Sequence, residues 1–350
     1  FGWERISKKL HAAVMWLVAI GGNLSAFWIL AANGFMQHPV GYEIVNGRAQ
    51  MTNFGALLGN PRAIYLFLHT FFAGLVTAAF FMLGFSIYHL VKKNDEEAFR
   101  KSFVLSAIIG LIAAVGLGGI GHAQGVYLRE VQPMAAAASE AHYETANPAD
   151  FHLIAGIDQQ GRRITWSVTI PKALSFLYFF KWEGEVEGLN QVQAQYEQLY
   201  GPGDYIPNIP IAFWTFRVMV GVGFLMVFLA AGALFIAWKK FPEKWIKRSR
   251  WLVWIILLPY MANTTGWLLT ETGRQPWVVH GLMQTKDAAS PNLTPTTVLI
   301  SLVGFVLIYG VLMIIDLYLL LKFARKGLAA GDMDSVPIAP EIETKKKGGK

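Results

Sequence analysis

The sequence contains no cysteine, which excludes disulfides and thiolate ligation, so any metal or haem must be held by His, Met or carboxylate. Charge is scarce as well. Asp, Glu, Lys and Arg make up 15% of the 350 residues, where a soluble domain carries about a quarter. Hydrophobic residues reach 54% and aromatic residues 14%, which points to a bilayer as the solvent for much of the chain. There is no initiator Met at Phe1 and no signal-peptide pattern, and the natural N-terminus is expected further upstream. No internal repeat is visible.

Six apolar runs are long enough to cross a hydrocarbon core, which takes roughly 20 residues. They lie near 12–34, 64–90, 103–121, 211–238, 251–271 and 297–321. A soluble core would not produce six such runs. Trp28, Tyr65, Trp238, Trp251 and Trp277 fall toward run ends, as an interfacial aromatic belt requires. The expected fold class is therefore an all-α integral membrane protein with six transmembrane helices and one loop domain. The expected divisions are 1–121 and 211–326 for two sets of three helices, 122–210 for the loop domain and 327–350 for a disordered tail.

The basic residues orient this arrangement. Of the 30 Lys and Arg, 20 fall in the N-terminal stub, the second-to-third loop, the fourth-to-fifth loop and the C-terminal tail. These connections share one side, which the positive-inside rule makes the cytoplasm. The net charge of +7 is thereby accounted for by orientation toward a lipid bilayer, with no nucleic-acid partner required. The large 122–210 connection then lies outside. It holds QPMAAAASEAHYE, read as an amphipathic helix, then RRITWSVTI with strand-like content, then a Tyr/Gly/Pro-rich stretch ending PGDYIPNIP. A connection this long is expected either to act or to cap helix ends.

Some residues are costly in a membrane. His69 lies about five residues, or roughly 8 Å, inside the second run, and imidazole is a common haem-iron ligand. Ala73 and Gly74 leave room near it; a hydrogen bond to a neighbouring helix is the alternative. Met219 lies roughly 12 Å into the fourth run, at similar depth, with Gly223 one turn on. A His/Met pair suits a low-spin haem of raised potential, although packing alone would also explain the Met. Arg217 needs an anion at this depth, a haem propionate or a carboxylate, unless it snorkels outward. Glu271 and Arg274 close the fifth run, where Gly273 and Pro276 stop the helix and Gln275 and Trp277 offer a hydrogen bond and a stacking surface. An ordinary Glu–Arg surface pair is the alternative. Asp316 and the Asn23–Ser25 step are weaker candidates for proton entry; an ordinary interfacial acid explains Asp316 better, and helix packing explains the Asn23–Ser25 step at least as well. His11, His38, His89, His122, His142, His152 and His280 read as surface or loop histidines.

With these residues in place, the chain resembles subunit I of the cytochrome bd ubiquinol oxidases. GRQPW at 273–277 carries the resemblance most specifically. FGWERI at 1–6, GGNLSAFWILAANGFMQHP at 21–39, LHT at 68–70, FRVMVGVG at 216–223 and KFAR at 322–325 support it in matching order over nearly the whole chain. The resemblance implies that His69 and Met219 are axial ligands of low-spin haem b558, that Arg217 lies near it, and that Glu271 is a carboxylate ligand in the high-spin pair, haem b595 and haem d. It implies quinol contacts from the outer loop, to which Gly273, Arg274, Gln275, Pro276 and Trp277 are added as candidates, while Ser25 and Asp316 stay candidates for a proton path on the residues alone. Glu271 and Arg274 would be the catalytic residues. The implied reaction oxidises two quinols, ubiquinol or menaquinol, and reduces O2 to water in aerobic respiration. Quinol protons leave outside and chemical protons come from the cytoplasm of a bacterial or archaeal cell. A second subunit, cytochrome bd subunit II, and a small single-span subunit are implied partners.

The family carries roughly three further N-terminal helices with a histidine ligand of the high-spin pair, so this segment alone is expected to be inactive. Thr264 stands where a glutamate is expected, GHAQG at 121–125 where some members are acidic, Ala135 for a lysine after QPM, and Asn190 for another lysine. The missing helices and Thr264 keep open a haem b oxidoreductase that passes electrons to an acceptor other than oxygen; a second rival is a transporter or purely structural subunit in which His69 and Met219 only pack.

Overall fold

The computed structural model describes residues 5–326. The Ser7 hydroxyl caps α1 (Lys8–Gln37) by accepting from the Leu10 amide. A hairpin of β1 (Tyr42–Val45) and β2 (Arg48–Met51) follows. Its turn is Asn46-Gly47, both at positive φ, the pair that a two-residue hairpin turn demands. After α2 (Phe54–Leu58), Asn60 caps α3 (Pro61–Lys92), whose first position is a proline. Next come α4 (Glu96–Val131), α5 (Pro133–Glu140), the antiparallel pair β3 (Phe151–Asp158) and β4 (Arg163–Ile170), α6 (Ala173–Phe179) and α7 (Leu189–Tyr200). The chain then runs through α8 (Ile209–Trp238), α9 (Glu243–Arg248), a 3-10 segment (Ser249–Ile256), α10 (Leu257–Gly273), the short pair β5 (Trp277–Val279) and β6 (Met283–Gln284), and α11 (Pro295–Lys326).

Six helical stretches are long and apolar enough to span a membrane. Helices α3, α4, α8 and α10 close a four-helix ring, each touching the next. Its core is built from Val76, Phe80, Leu83, Phe103, Val222 and Met226. Close approach comes from small residues meeting large ones: a side chain at Gly116 would meet Phe72, and one at Gly84 would meet Ile256 and, at 2.9 Å, the Val253 carbonyl of the 3-10 segment. Helix α1 buries only Ala31, Gly34 and Gln37, near its C-terminal end, where a Cβ on Gly34 would lie 2.7 Å from that of Ala63. From Pro295 to Arg325 the side chains of α11 are exposed or half-buried, although the Ala324 carbonyl lies 3.0 Å from the His89 ring.

The structure departs from the sequence-based expectations in several places. The third span runs ten residues past 121, so His122, Gln124 and Tyr127 sit on a continuous helix. The fifth span is broken into α9, the 3-10 segment and α10. The QPMAAAASE helix is not amphipathic. Every residue of α5 from Met134 to Glu140 is buried, because α4, α7, α8 and α10 all pack on it and its alanines permit the approach. His89 is not a surface histidine: it is fully buried and stacked on Phe99 at 4.1 Å. His142 is buried too. The expected tail at 327–350 and the start of the FGWERI string lie outside the described residues.

Candidate functional site

His69 and Met219 project from α3 and α8, two members of the ring that each pack against both α4 and α10. His69 is eight residues from the first residue of α3, and Met219 is ten from the first residue of α8. Both helices start at the end where the 132–208 region folds, so the two side chains lie about 12 and 15 Å below that end. Each faces a glycine on a neighbouring helix of the ring. A Cβ on Gly121 of α4 would stand 3.4 Å from His69 Cε1, and one on Gly266 of α10 would stand 2.8 Å from Met219 Sδ. His69 Nδ1 is buried with no hydrogen-bond partner, as are His122 Nε2 and Gln124 Oε1. Buried nitrogen and oxygen atoms are ordinarily paired. The unpaired Nδ1 leaves the His69 imidazole a candidate haem ligand, and the Met219 thioether at similar depth on α8 is a candidate second one.

Arg217 points to the domain end. Its guanidinium is 9% exposed and pairs at 2.6 Å with Glu140, which is 6% exposed. Nε donates to the His152 carbonyl at 2.7 Å, and the Phe151 and Phe213 rings lie within 4.4 Å of the guanidinium carbon. Of the anions expected for this arginine, a carboxylate of the loop domain is the one it holds. Burial raises the Glu140 carboxyl above the usual carboxylate range, and Arg217 pulls it back only in part. Glu140 borders a cavity of about 320 Å³ lined also by Arg129, Pro133, Ala136, Tyr178 and Phe179. Sequence reading did not single out Glu140, although an acid ending an alanine run beneath a buried arginine was a usable signal.

At the end of α10, Arg274 NH2 donates to Glu271 Oε2 and NH1 to the Val278 carbonyl, while Arg274 Nε is buried without a partner. Gln275 donates to the Glu271 carbonyl and accepts from Thr285 Oγ1 at 2.7 Å. The Gln275–Pro276 bond is cis, and Gly273 packs beneath Ala135 of α5. Trp277 does not offer a free stacking surface. It is 5% exposed and stacked on Tyr205 at 5.7 Å, with Tyr200 against its edge. Its role here is to join the 273–277 turn to the core of the loop domain, alongside Tyr196 and Leu189. His280 extends the junction: its amide donates to the Met36 carbonyl of α1, and its Nε2 lies 3.2 Å from Tyr196 OH. Burial, with a smaller contribution from His38, lowers its pKa to about 4.

The structure thus gathers His69, Met219, Arg217, Glu271 and the 273–277 turn at the domain end of one bundle. Ser25 and Asp316 are exposed on α1 and α11, and neither is drawn to this site. Thr264 is exposed as well. Ala135 is buried in α5, and Asn190 donates to Glu144 at 2.6 Å.

Comparison with known proteins bears on the family and the fold of the chain. Residues 1–328 match the family described as cytochrome bd terminal oxidase subunit I. The chain is 43% identical over 344 residues to cytochrome bd ubiquinol oxidase subunit 1 of Bacillus subtilis (strain 168), covering 97% of this chain and 73% of that protein. It is 32% identical over 391 residues to cytochrome bd-II ubiquinol oxidase subunit 1 of Escherichia coli (strain K12), covering 94% and 76%. The solved bd oxidase of Geobacillus thermodenitrificans superposes with a TM-score of 0.78 at 29% identity, over 93% of this chain and 73% of that one.

Proposed function

Because the chain belongs to the cytochrome bd terminal oxidase subunit I family, a quinol:oxygen oxidoreductase of the cytoplasmic membrane, we propose that His69 and Met219 hold its low-spin haem, the b558 centre, and that quinol is oxidised in the cavity beside Glu140. The observation that carries the reading is Arg217. Two residues before Met219, it reaches from the haem-bearing helix to the carboxylate that lines the cavity. The haem-holding and quinol-facing parts of the chain are thereby joined by one buried ion pair.

A haem with His and Met ligands supplies one-electron transfer at raised potential. The chain's own residues do the rest. The cavity's size matches a small-molecule pocket, and Tyr178 and Phe179 line it, with the Arg129 guanidinium over the Phe179 ring at 4.3 Å. A Glu140 carboxylate made more basic by burial accepts a quinol hydroxyl proton at its free oxygen. Arg217 keeps that carboxylate in place. At the other edge of the domain, Arg274 orients Glu271, which we assign as the carboxylate toward the high-spin haems b595 and d. Gly273, Gln275 and Pro276 shape the turn that seats α5 on α10, and their contact with quinol would be indirect. The basic connections lie at the end of the bundle away from the loop domain, which supports a cytoplasmic placement of that end and release of quinol protons outside. Residues 132–208 make up the outer segment and the long helices on either side of it the membrane part, working with cytochrome bd subunit II and a small single-span subunit.

The test is Glu140→Gln in the assembled oxidase. Quinol-driven reduction of the low-spin haem should fall by about tenfold or more, while dithionite still reduces the haem fully. Undiminished quinol-driven reduction would move the quinol site elsewhere.

A further inference from the structure

We infer that Arg62 is the anchor for a propionate carboxylate of the haem held at His69, an inference that rests on the His69–Met219 reading. Arg62 opens α3 and is 3% exposed. Its Nε donates to Gln37 Oε1 at 2.8 Å, NH2 donates to the same oxygen, and NH1 is buried with no partner. It makes no ion pair among the described residues. Arg217 and Arg274, the other two largely buried arginines at this end, each hold a carboxylate.

The surroundings fix Arg62 without neutralising it. Gln37 is held from three sides: its side chain by Asn33 and by Arg62 itself, its carbonyl by Gln132 Nε2. The Asn60 side chain donates to the His38 carbonyl at 2.9 Å and its Oδ1 accepts from the Arg62 amide. The contact of Gly34 with Ala63 presses α1 onto α3 at this level. Every direct partner of the guanidinium is neutral, so a full positive charge is buried with one NH2 group unused. Leaving a guanidinium in that state costs several kcal/mol, and a carboxylate matches its fork geometry.

Position selects the carboxylate. Arg62 and His69 are seven residues apart on one helix, about 20° apart around it and about 10 Å apart along it. On the neighbouring helix α4, Gly121 faces His69. The unpaired Arg62 NH1 donor thus lies on nearly the same helix face as His69, about two turns toward the helix start, within the reach of an acid-bearing group seated at His69. A lipid phosphate offers similar chemistry, but it would have to reach a guanidinium that is almost wholly enclosed.

The experiment uses the assembled oxidase in membranes, comparing wild type with R62Q and R62K. The low-spin haem is titrated potentiometrically through its visible band. Infrared redox difference spectra are recorded with haem carrying 13C in the propionate carboxyls. R62Q should raise the oxidised-to-reduced ratio at fixed potential about tenfold, a downward shift of about 59 mV for a one-electron couple. R62K should shift it less than half as far, and the labelled carboxylate band should move in both variants. An unchanged midpoint and an unmoved labelled band in R62Q would overturn the inference. If R62Q takes up no haem, the labelled band of R62K decides in the same way. A band that responds to Arg62 substitution only in unlabelled lipid phosphate modes would also overturn it. Absence of low-spin haem from the wild-type enzyme would instead sink the His69–Met219 reading, so the two failures are separable.

Discussion

Replacing Glu140 with Gln should loosen the loop domain from the bundle by a calculable amount. The carboxylate is the ion-pair partner of Arg217 among the described residues, and both side chains are less than a tenth exposed. Removing one member of a buried pair costs about 3–5 kcal/mol, because the other is left as an uncompensated charge. Arg217 would keep its bonds to the His152 and Ser139 carbonyls and its contacts with Phe151 and Phe213. The loss should therefore fall at the low end, about 3 kcal/mol, or roughly two orders of magnitude in the local opening constant. Hydrogen exchange read by mass spectrometry over residues 133–140 and 151–158 measures that constant. Replacing both partners by Met should recover at least half of the loss, since an apolar pair leaves no orphaned charge. Unchanged exchange in both segments of the Glu140→Gln protein would refute the claim that this pair docks the domain.

Further outcomes follow from the same geometry. Gly266→Val should push the Met219 sulfur off its seat, since even a Cβ there would come within 2.8 Å of Sδ, and a high-spin component should appear in the visible spectrum at the expense of the low-spin band. Arg274→Leu removes the partner of Glu271, and should lower quinol turnover by about ten- to hundredfold while leaving the low-spin haem spectrum intact. His280 has a pKa of about 4 in the fold against an ordinary value of 6.5. The unfolded form binds more protons between these values, so His280 contributes stability above about pH 6.5 that is lost as pH falls toward 4. Trp277 fluorescence should report loosening of the turn over that window, and His280→Gln should flatten the response.

The membrane part of the fold was legible because hydrocarbon imposes one rule, a long apolar helix, and five of the six runs obey it as single α-helices, the fifth as α9, a 3-10 segment and α10 in succession. Residues such as His69 and Arg217 stood out for the same reason. The loop domain was harder. Its α5 is an alanine helix buried on every side, and amphipathic pattern reading has no signal for that case. Strand β3 was hidden because its His152 and Gly156 disturb the alternation and its register with β4 slips twice. Trp277 looked like a recognition surface in sequence; only packing reveals that Tyr205 already covers its face. Glu140 and Arg62 were missed because their meaning is relational: one holds a buried arginine 77 residues away, and the other is notable for the carboxylate it does not have.

The central claim is that one haem is held between His69 and Met219. The most direct measurement is the reduced-minus-oxidised visible spectrum of the assembled oxidase, comparing wild type with His69→Ala and Met219→Leu at matched protein content. The account predicts a low-spin haem b band in the wild type, its loss in His69→Ala, and conversion to high-spin or loss in Met219→Leu. A normal low-spin band in both variants would contradict it.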